Sequence, residues 1–286
     1  MAHNDTALAA PPVVQLSEFE TIPQLGLGVW QIENDKVVPT VMTALEAGYR
    51  LIDTAQGYDN EAGVGVALES SSVPRSEIFL TTKLRTKAAG FSGALAGVQE
   101  SLSALKLDFI DLMLIHWPTP AHDRYVDTWK GLIAAKDQGL VRNIGVSNFT
   151  QDQLERIIDE TGIVPAVNQV ETHPYFQQKE LLPYLKARGI RHESYSPLGS
   201  GEVLDDPIIG EIAASARKSP AQIIIRWHLQ RGSIVIPKSE TPDRIRENFD
   251  VFGFTLSDGE MGRISGLDDV ENGRTGSDPN TFNDLY

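Results

Sequence analysis

The 286-residue chain contains no cysteine. That excludes a disulfide framework and any zinc site built on thiolates. No apolar run approaches the ~20 residues that a membrane-spanning helix needs. Positive charge is also scarce: 25 Lys and Arg stand against 39 Asp and Glu, a formal net charge of -14. Such a surface repels phosphate backbones and anionic lipid, so nucleic-acid and membrane partners are disfavoured, although one local basic pocket could still bind a phosphate. The first residues, Met1 to Pro12, lack the basic and apolar regions of a secretory signal. They read as a flexible leader, residues 1–12, on a cytoplasmic protein. Without a signal, the glycosylation-like triplets Asn4-Asp5-Thr6 and Asn148-Phe149-Thr150 are chance matches.

What the chain has in quantity is alternation. Hydrophobic residues make up 41%, enough for a substantial core. Short apolar runs alternate with helical patterns almost throughout. Strands are expected at Gly26–Trp30, Leu51–Asp53, Ile78–Leu84, Phe109–His116, Val141–Val146, Ala166–Glu171, Ile190–Ser196 and Ser233–Ile236. Helices are expected after each of them, the last over Pro242–Phe252. Eight such units in a chain of this size predict one α/β domain over residues 13–286, a (β/α)8 TIM barrel. An N-terminal hairpin within Val13–Pro23, an extra helix over Ser257–Ile264 and an aperiodic tail from Glu271 to Tyr286 complete it.

Three apolar runs end on titratable residues: Asp53 with Tyr58 just beyond, Lys83, and His116. In a parallel barrel the residues past the strand ends converge on one mouth. A buried structural ion pair between Asp53 and Lys83 is the plainer reading of part of this group. Taken together, though, the four residues form a proton-handling set. A phenol of pKa about 10 is a poor acid at neutral pH. A neighbouring Lys ammonium is expected to lower it, and a carboxylate anchors the Lys. A neutral His can donate a hydrogen bond to a carbonyl oxygen. The set therefore suits proton delivery to a carbonyl under reduction.

The other motifs are weaker. Gly26-Leu27-Gly28 and Gly63-Val64-Gly65 do not complete a dinucleotide fingerprint and read as close backbone packing. The six His show no zinc-protease spacing, so no metal is expected, and His228 reads as a core residue. Lys238 and Arg244 flank a helix start after the eighth strand, where barrels commonly hold a phosphate. A solvated basic cap is the alternative there.

These residues resemble the aldo-keto reductase superfamily from about Val13 to Phe282. The resemblance rests on Leu25 to Trp30, Gly48 to Ala55 with Tyr58 and Asn60-Glu61, Thr82-Lys83-Leu84 and Asp111 to Pro118. It continues through Gly145 to Phe149, Asn168 to Pro174, Tyr195 to Gly199 and Ile236 to Ser239. The short chain and compact loops are similar to the bacterial branch that includes 2,5-diketo-gluconate reductases. The resemblance implies an NADPH-dependent reductase of aldehydes or ketones, monomeric, with Tyr58 as general acid, Lys83 and Asp53 tuning it and His116 orienting the carbonyl. It implies that Ser147, Asn148 and Gln169 hold the nicotinamide carboxamide and that Tyr195 stacks on the ring. Ser196 and Leu198 would meet the pyrophosphate. Lys238, Ser239 and Arg244 would meet the 2′-phosphate, and Glu247 and Asn248 the adenine. Trp30 and Trp117, with Tyr58 and His116, would wall the substrate pocket.

One residue departs from the pattern. Glu240 follows Lys238-Ser239, where a small apolar residue is frequent. A carboxylate there repels a 2′-phosphate and could bond a free ribose hydroxyl, so NADH use is open beside NADPH. Two other readings also stay open: a cofactor-sensing regulatory module on the same fold with little turnover, and a barrel enzyme of different chemistry. The expected substrates are small aldehydes, dicarbonyls such as methylglyoxal or diacetyl, keto sugars or aromatic aldehydes.

Overall fold

A computed structural model describes residues 11–286. Most of the expected leader, with His3 and the Asn4-Asp5-Thr6 triplet, lies outside the described residues. A short antiparallel hairpin comes first, β1 (Val13–Gln15) and β2 (Thr21–Pro23). Eight parallel strands follow: β3 (Leu27–Gly28), β4 (Leu51–Asp53), β5 (Phe79–Leu84), β6 (Ile110–Ile115), β7 (Val141–Ser147), β8 (Val167–Glu171), β9 (Arg191–Tyr195) and β10 (Ile234–Val235). They are hydrogen-bonded in sequence order. Parallel bridges Leu25↔Val235 and Gly28↔Lys238 join the last strand to the first and close the barrel.

The helices α1 (Asn34–Ala47), α2 (Glu61–Ser70), α3 (Phe91–Leu105), α4 (Tyr125–Asp137), α5 (Gln151–Thr161) and α6 (Leu181–Arg188) each follow a strand. Next come α7 (Pro207–Ala216), α8 (Pro220–Gln230), α9 (Pro242–Phe249) and α10 (Asp258–Ser265). Their starts are written locally. Thr150 with Gln153, Ser219 with Gln222 and Ser257 with Glu260 form capping boxes, each satisfying helix-end amides. Gly48 and Gly189 end α1 and α6 in the left-handed conformation, where the sequence predicts these helices to stop; Gly162 ends α5 in the same way, after Thr161 rather than the Glu160 expected.

Strands β5 and β6 are buried along their whole length, because helices cover one face and the barrel interior the other. The interior is packed by Leu51, Phe79, Leu112, Val167 and Ile234, near the strand starts. Ile22 of the hairpin sits in the same cluster, fully buried. The hairpin thus plugs the N-terminal end of the barrel and leaves the opposite end open. Gly65 lets two helices meet: a Cβ there would lie 2.5 Å from the Leu105 carbonyl oxygen.

Three expectations need correction. The first and last barrel strands are two residues long, not the five and four expected, since each is a closure strand tied mainly by bridges. The unit between β9 and β10 contains a second helix, α7, that the pattern did not predict. Asp206 caps it, accepting from the Ile208 and Ile209 amides, with Pro207 at its first position. The α9 helix ends at Phe249 rather than Phe252.

Candidate active site

The open end of the barrel holds a cavity of about 480 Å³. Asp53 ends β4, His116 follows β6, Ser147 ends β7 and Tyr195 ends β9. Tyr58 ends a single 3-10 turn, Gln56–Tyr58, after β4. All line the cavity, together with Trp30, Trp117, Asn148, Gln169, Ser196 and Lys238. Lys83 lies beneath it, fully buried.

Lys83 has three N–H donors and three acceptors. Its Nζ donates to Asp53 Oδ1 at 2.5 Å, to the Thr54 carbonyl at 3.0 Å and to Tyr58 Oη at 3.4 Å. Gln169 Nε2 donates to the other Asp53 oxygen at 2.8 Å. Burial opposes the ammonium, but Asp53 and Tyr58 outweigh it and raise the Lys83 pKa. Burial also raises Asp53, against the pull of Lys83 and Gln169. Lys83 remains by far the stronger base, so the pair is ammonium and carboxylate.

The Tyr58 phenol differs from its expectation. Lys83 does pull its pKa down, but burial is the larger effect, Asp53 adds to it, and the net direction is up. The phenol therefore keeps its proton through neutral pH. Because its oxygen accepts from Lys83, its own O–H is free to donate elsewhere. His116 packs edge-on against Tyr58, with ring centroids 5.7 Å apart. Burial, then the Lys83 charge, push the imidazole well below its usual range, so it is neutral. The cavity thus presents one phenol donor and one neutral imidazole side by side, which is what protonating an oxygen atom requires.

The remaining expected contacts divide into two groups. Tyr195 donates to Asn148 Oδ1 at 2.8 Å, and Asn148 Nδ2 donates to the His116 carbonyl at 3.0 Å and to Ser147 Oγ at 3.1 Å. These groups share the cavity wall with Gln169. Leu198, Ser239, Arg244, Glu247 and Asn248 do not line the cavity. Leu198 is half-buried against the core, and Ser239 Oγ accepts from the Thr241 amide. Arg244 and Glu247 are exposed on α9, while Asn248 is buried there. Lys238 reaches the rim but donates to Glu240 Oε1 at 2.7 Å, so its charge is partly spoken for. Among the described residues no three His, Asp or Glu side chains cluster as metal ligands would. His228 is a buried packing residue beside Trp227.

Three features escaped the sequence reading: the path of the tail, what holds it down, and one buried carboxyl. The tail folds over the mouth, where Thr275, Gly276, Ser277, Phe282 and Tyr286 join the cavity lining. Phe282 and Tyr286, two aromatics in a polar stretch, were the available signal. Glu171 ties the tail down: its carboxylate accepts from the Thr275 amide and hydroxyl, the Gly276 amide and His173 Nε2. Burial opposes its charge, yet these donors hold its pKa near 2, so the strap stays ionised at any ordinary pH. The third is Glu193, inside the barrel on β9 beside Gln169. Its position two residues before Tyr195 puts it on the same strand face, a signal that could have been used. Its carboxyl oxygens have no hydrogen-bond partner among the described residues. Burial, then the Asp53 charge, push it up to about 8.

Residues 24–269 match the Aldo/keto reductase family. The chain is 49% identical to methylglyoxal reductase DkgA of Salmonella typhimurium over 283 residues, covering 96% of this chain and 99% of the relative. It is 48% identical to methylglyoxal reductase DkgA of Escherichia coli K12 over 277 residues, with the same coverage of both. Its fold superposes with a TM-score of 0.91 on a mutant of Gox0644 in complex with NADPH, at 48% identity and covering 96% of this chain and 99% of that one. A parallel barrel with a buried Lys–Asp pair under a tyrosine defines a class of cofactor-dependent oxidoreductase. Within it, the chain belongs to the aldo/keto reductase family.

Glu193 generates a pH test. Its ordinary carboxyl value is 4.5 and its folded value about 8. A group easier to protonate when folded contributes stability that is whole below pH 4.5 and is lost as pH rises through 8. Glu193→Gln removes that loss. Denaturant unfolding is expected to show the variant gaining on the parent by up to about 1.4 kcal/mol per pH unit across this window. Parallel stability curves for the two proteins would exclude a protonated Glu193.

Proposed function

We propose that this chain reduces an aldehyde or ketone to an alcohol with NADPH, using Tyr58 as the general acid. The observation that carries this reading is the hydrogen-bonded line Asp53–Lys83–Tyr58, which ends at a cavity shared with His116. The carbonyl carbon receives its hydride from NADPH when the cofactor is bound. The residues fit that cofactor: amide and hydroxyl groups of Ser147, Asn148 and Gln169 for a carboxamide, the Tyr195 ring for a planar heterocycle and Lys238 at the rim for a phosphate. Leu198, Ser239, Arg244, Glu247 and Asn248 then extend the cofactor site beyond the cavity, as the family resemblance implies.

In this reading His116 donates to the carbonyl oxygen and sets its direction. Tyr58 gives that oxygen its proton as negative charge develops there. Lys83 steadies the phenolate that remains, and Asp53 keeps Lys83 in place. Trp30, Trp117 and Phe282 are the apolar walls, with Trp117 and Phe282 packed 4.3 Å apart. The cavity is small, and the two DkgA relatives are named as methylglyoxal reductases. We therefore favour small dicarbonyls of the methylglyoxal type, reduced by a monomer in the cytoplasm. A carbonyl panel followed by NADPH absorbance tests the reading, with turnover of methylglyoxal expected. No turnover of any carbonyl would favour the cofactor-sensing alternative.

Tyr58→Phe is expected to lower kcat by roughly 10² to 10⁴-fold while NADPH still binds, as read by fluorescence titration. Full activity in that variant would remove Tyr58 from the role. The Lys238–Glu240 pair gives a second expectation. Glu240→Val frees Lys238 for a 2′-phosphate and should raise the NADPH-to-NADH ratio of kcat/KM by roughly fivefold. A ratio that stays level or falls would show that Lys238 does not meet that phosphate.

A further inference from the structure

His116 lies between two tyrosines. Tyr58 and Tyr286 of the tail both pack edge-on with its ring, with centroids 5.7 and 5.8 Å away. Tyr286 Oη is 2.9 Å from His116 Nδ1. The other ring nitrogen, Nε2, makes no hydrogen bond to any described residue, and the ring lines the cavity. A neutral imidazole has one N–H and one bare nitrogen. Which nitrogen carries the proton decides whether His116 can donate to a ligand or only accept from one.

The place of Tyr286 is built, not incidental. Its amide donates to Thr86 Oγ1 at 2.9 Å, and its carbonyl accepts from the Lys87 amide at 3.2 Å. Thr86 Oγ1 donates in turn to the Asp284 carbonyl at 2.8 Å. Asn283 Oδ1 accepts from the Ala121 amide at 2.7 Å. Gly57 makes room for the ring: a Cβ there would stand 2.5 Å from Tyr286 Cε2. At the other end of the tail, the Glu171 carboxylate grips Thr275 and Gly276. Burial first of all raises the Tyr286 phenol pKa, with the Trp117 indole N–H acting in the opposite sense, so the hydroxyl keeps its proton. Among the described residues, Nδ1 is the one hydrogen-bond partner of the Tyr286 hydroxyl, so a phenol that keeps its proton donates it there.

We propose that Tyr286 is a positioning residue for His116: its hydroxyl donates to Nδ1 and so keeps the imidazole proton on Nε2, the nitrogen left for a substrate oxygen. The proposal rests on the carbonyl-reduction reading for its consequence, but not for its geometry. Without the Tyr286 hydroxyl, the imidazole is free to carry its proton on Nδ1. In that tautomer a bare Nε2 repels a carbonyl oxygen. The tail therefore reaches past the walls of the pocket into the proton arrangement of the site.

The test uses the NADPH-bound enzyme labelled with ¹⁵N histidine, together with steady-state kinetics on methylglyoxal. In the parent, the ¹⁵N shifts of His116 should report a protonated Nε2 and a bare Nδ1. Tyr286→Phe keeps the ring and removes the hydroxyl. It should move both shifts toward a mixture of tautomers and lower kcat/KM by roughly tenfold, with NADPH affinity unchanged. Tyr286→Leu, which also removes the ring, should match Tyr286→Phe in tautomer mixture. A packing role alone would leave Tyr286→Phe like the parent in both readouts while Tyr286→Leu suffers, and that overturns the proposal. So would a parent His116 protonated on Nδ1. If the parent turns over no carbonyl, the carbonyl-reduction reading fails, while the ¹⁵N shifts still decide the proposal.

Discussion

Everything at the open end of this barrel is arranged around one buried positive charge. Lys83 has no contact with solvent. An ammonium in that position is costly unless each of its protons finds an acceptor. Here each does: a carboxylate, a backbone carbonyl and a phenol. The three acceptors come from the end of β4, the residue after it and the turn beyond, so a single strand end supplies the whole cage. Gln169 then satisfies the second Asp53 oxygen from the far side of the barrel.

That charge sets the protonation of its neighbours. It helps push His116 far below its ordinary range, leaving a neutral ring next to a protonated phenol. It does not by itself make Tyr58 a stronger acid in this buried position. Burial outweighs it there, and the phenol stays a donor until negative charge develops on a partner atom. Glu193, pushed up to about 8, keeps another full negative charge away from Asp53 at neutral pH. The Lys83–Asp53 pair is thus flanked by Tyr58, His116 and Glu193, which burial keeps neutral, while Glu171 stays ionised on the donors of the tail.

Much of this was legible in the sequence, for a physical reason. Parallel strands covered on both faces must be apolar along their length, so a polar residue at the end of a run marks where the chain leaves the core. Asp53, Lys83 and His116 stand out on that ground alone. Helix starts were legible where a capping residue precedes the helical pattern, as with Ser257 before α10. Three features were not. The tail has no period because side chains far back in the chain hold it, with Glu171 fixing Thr275 and Thr86 fixing Tyr286. The α7 helix hid behind the irregular turn Gly199–Asp205 and announced itself only through the Asp206-Pro207 start. The net direction of the Tyr58 pKa was illegible for a different reason: it depends on how deeply the ring is buried, which no spacing encodes.

In the proposed reaction Lys83 is the charge that readies the site. Removing it alone would strand a buried carboxylate, a loss of about 3–5 kcal/mol that could mask any effect on chemistry. The direct measurement is single-turnover reduction of methylglyoxal by a Lys83→Met, Asp53→Asn double variant, with NADPH affinity measured in parallel. The expected result is a folded protein that binds NADPH normally and reduces the carbonyl at least about 100-fold more slowly. A rate within a few-fold of the parent would contradict it.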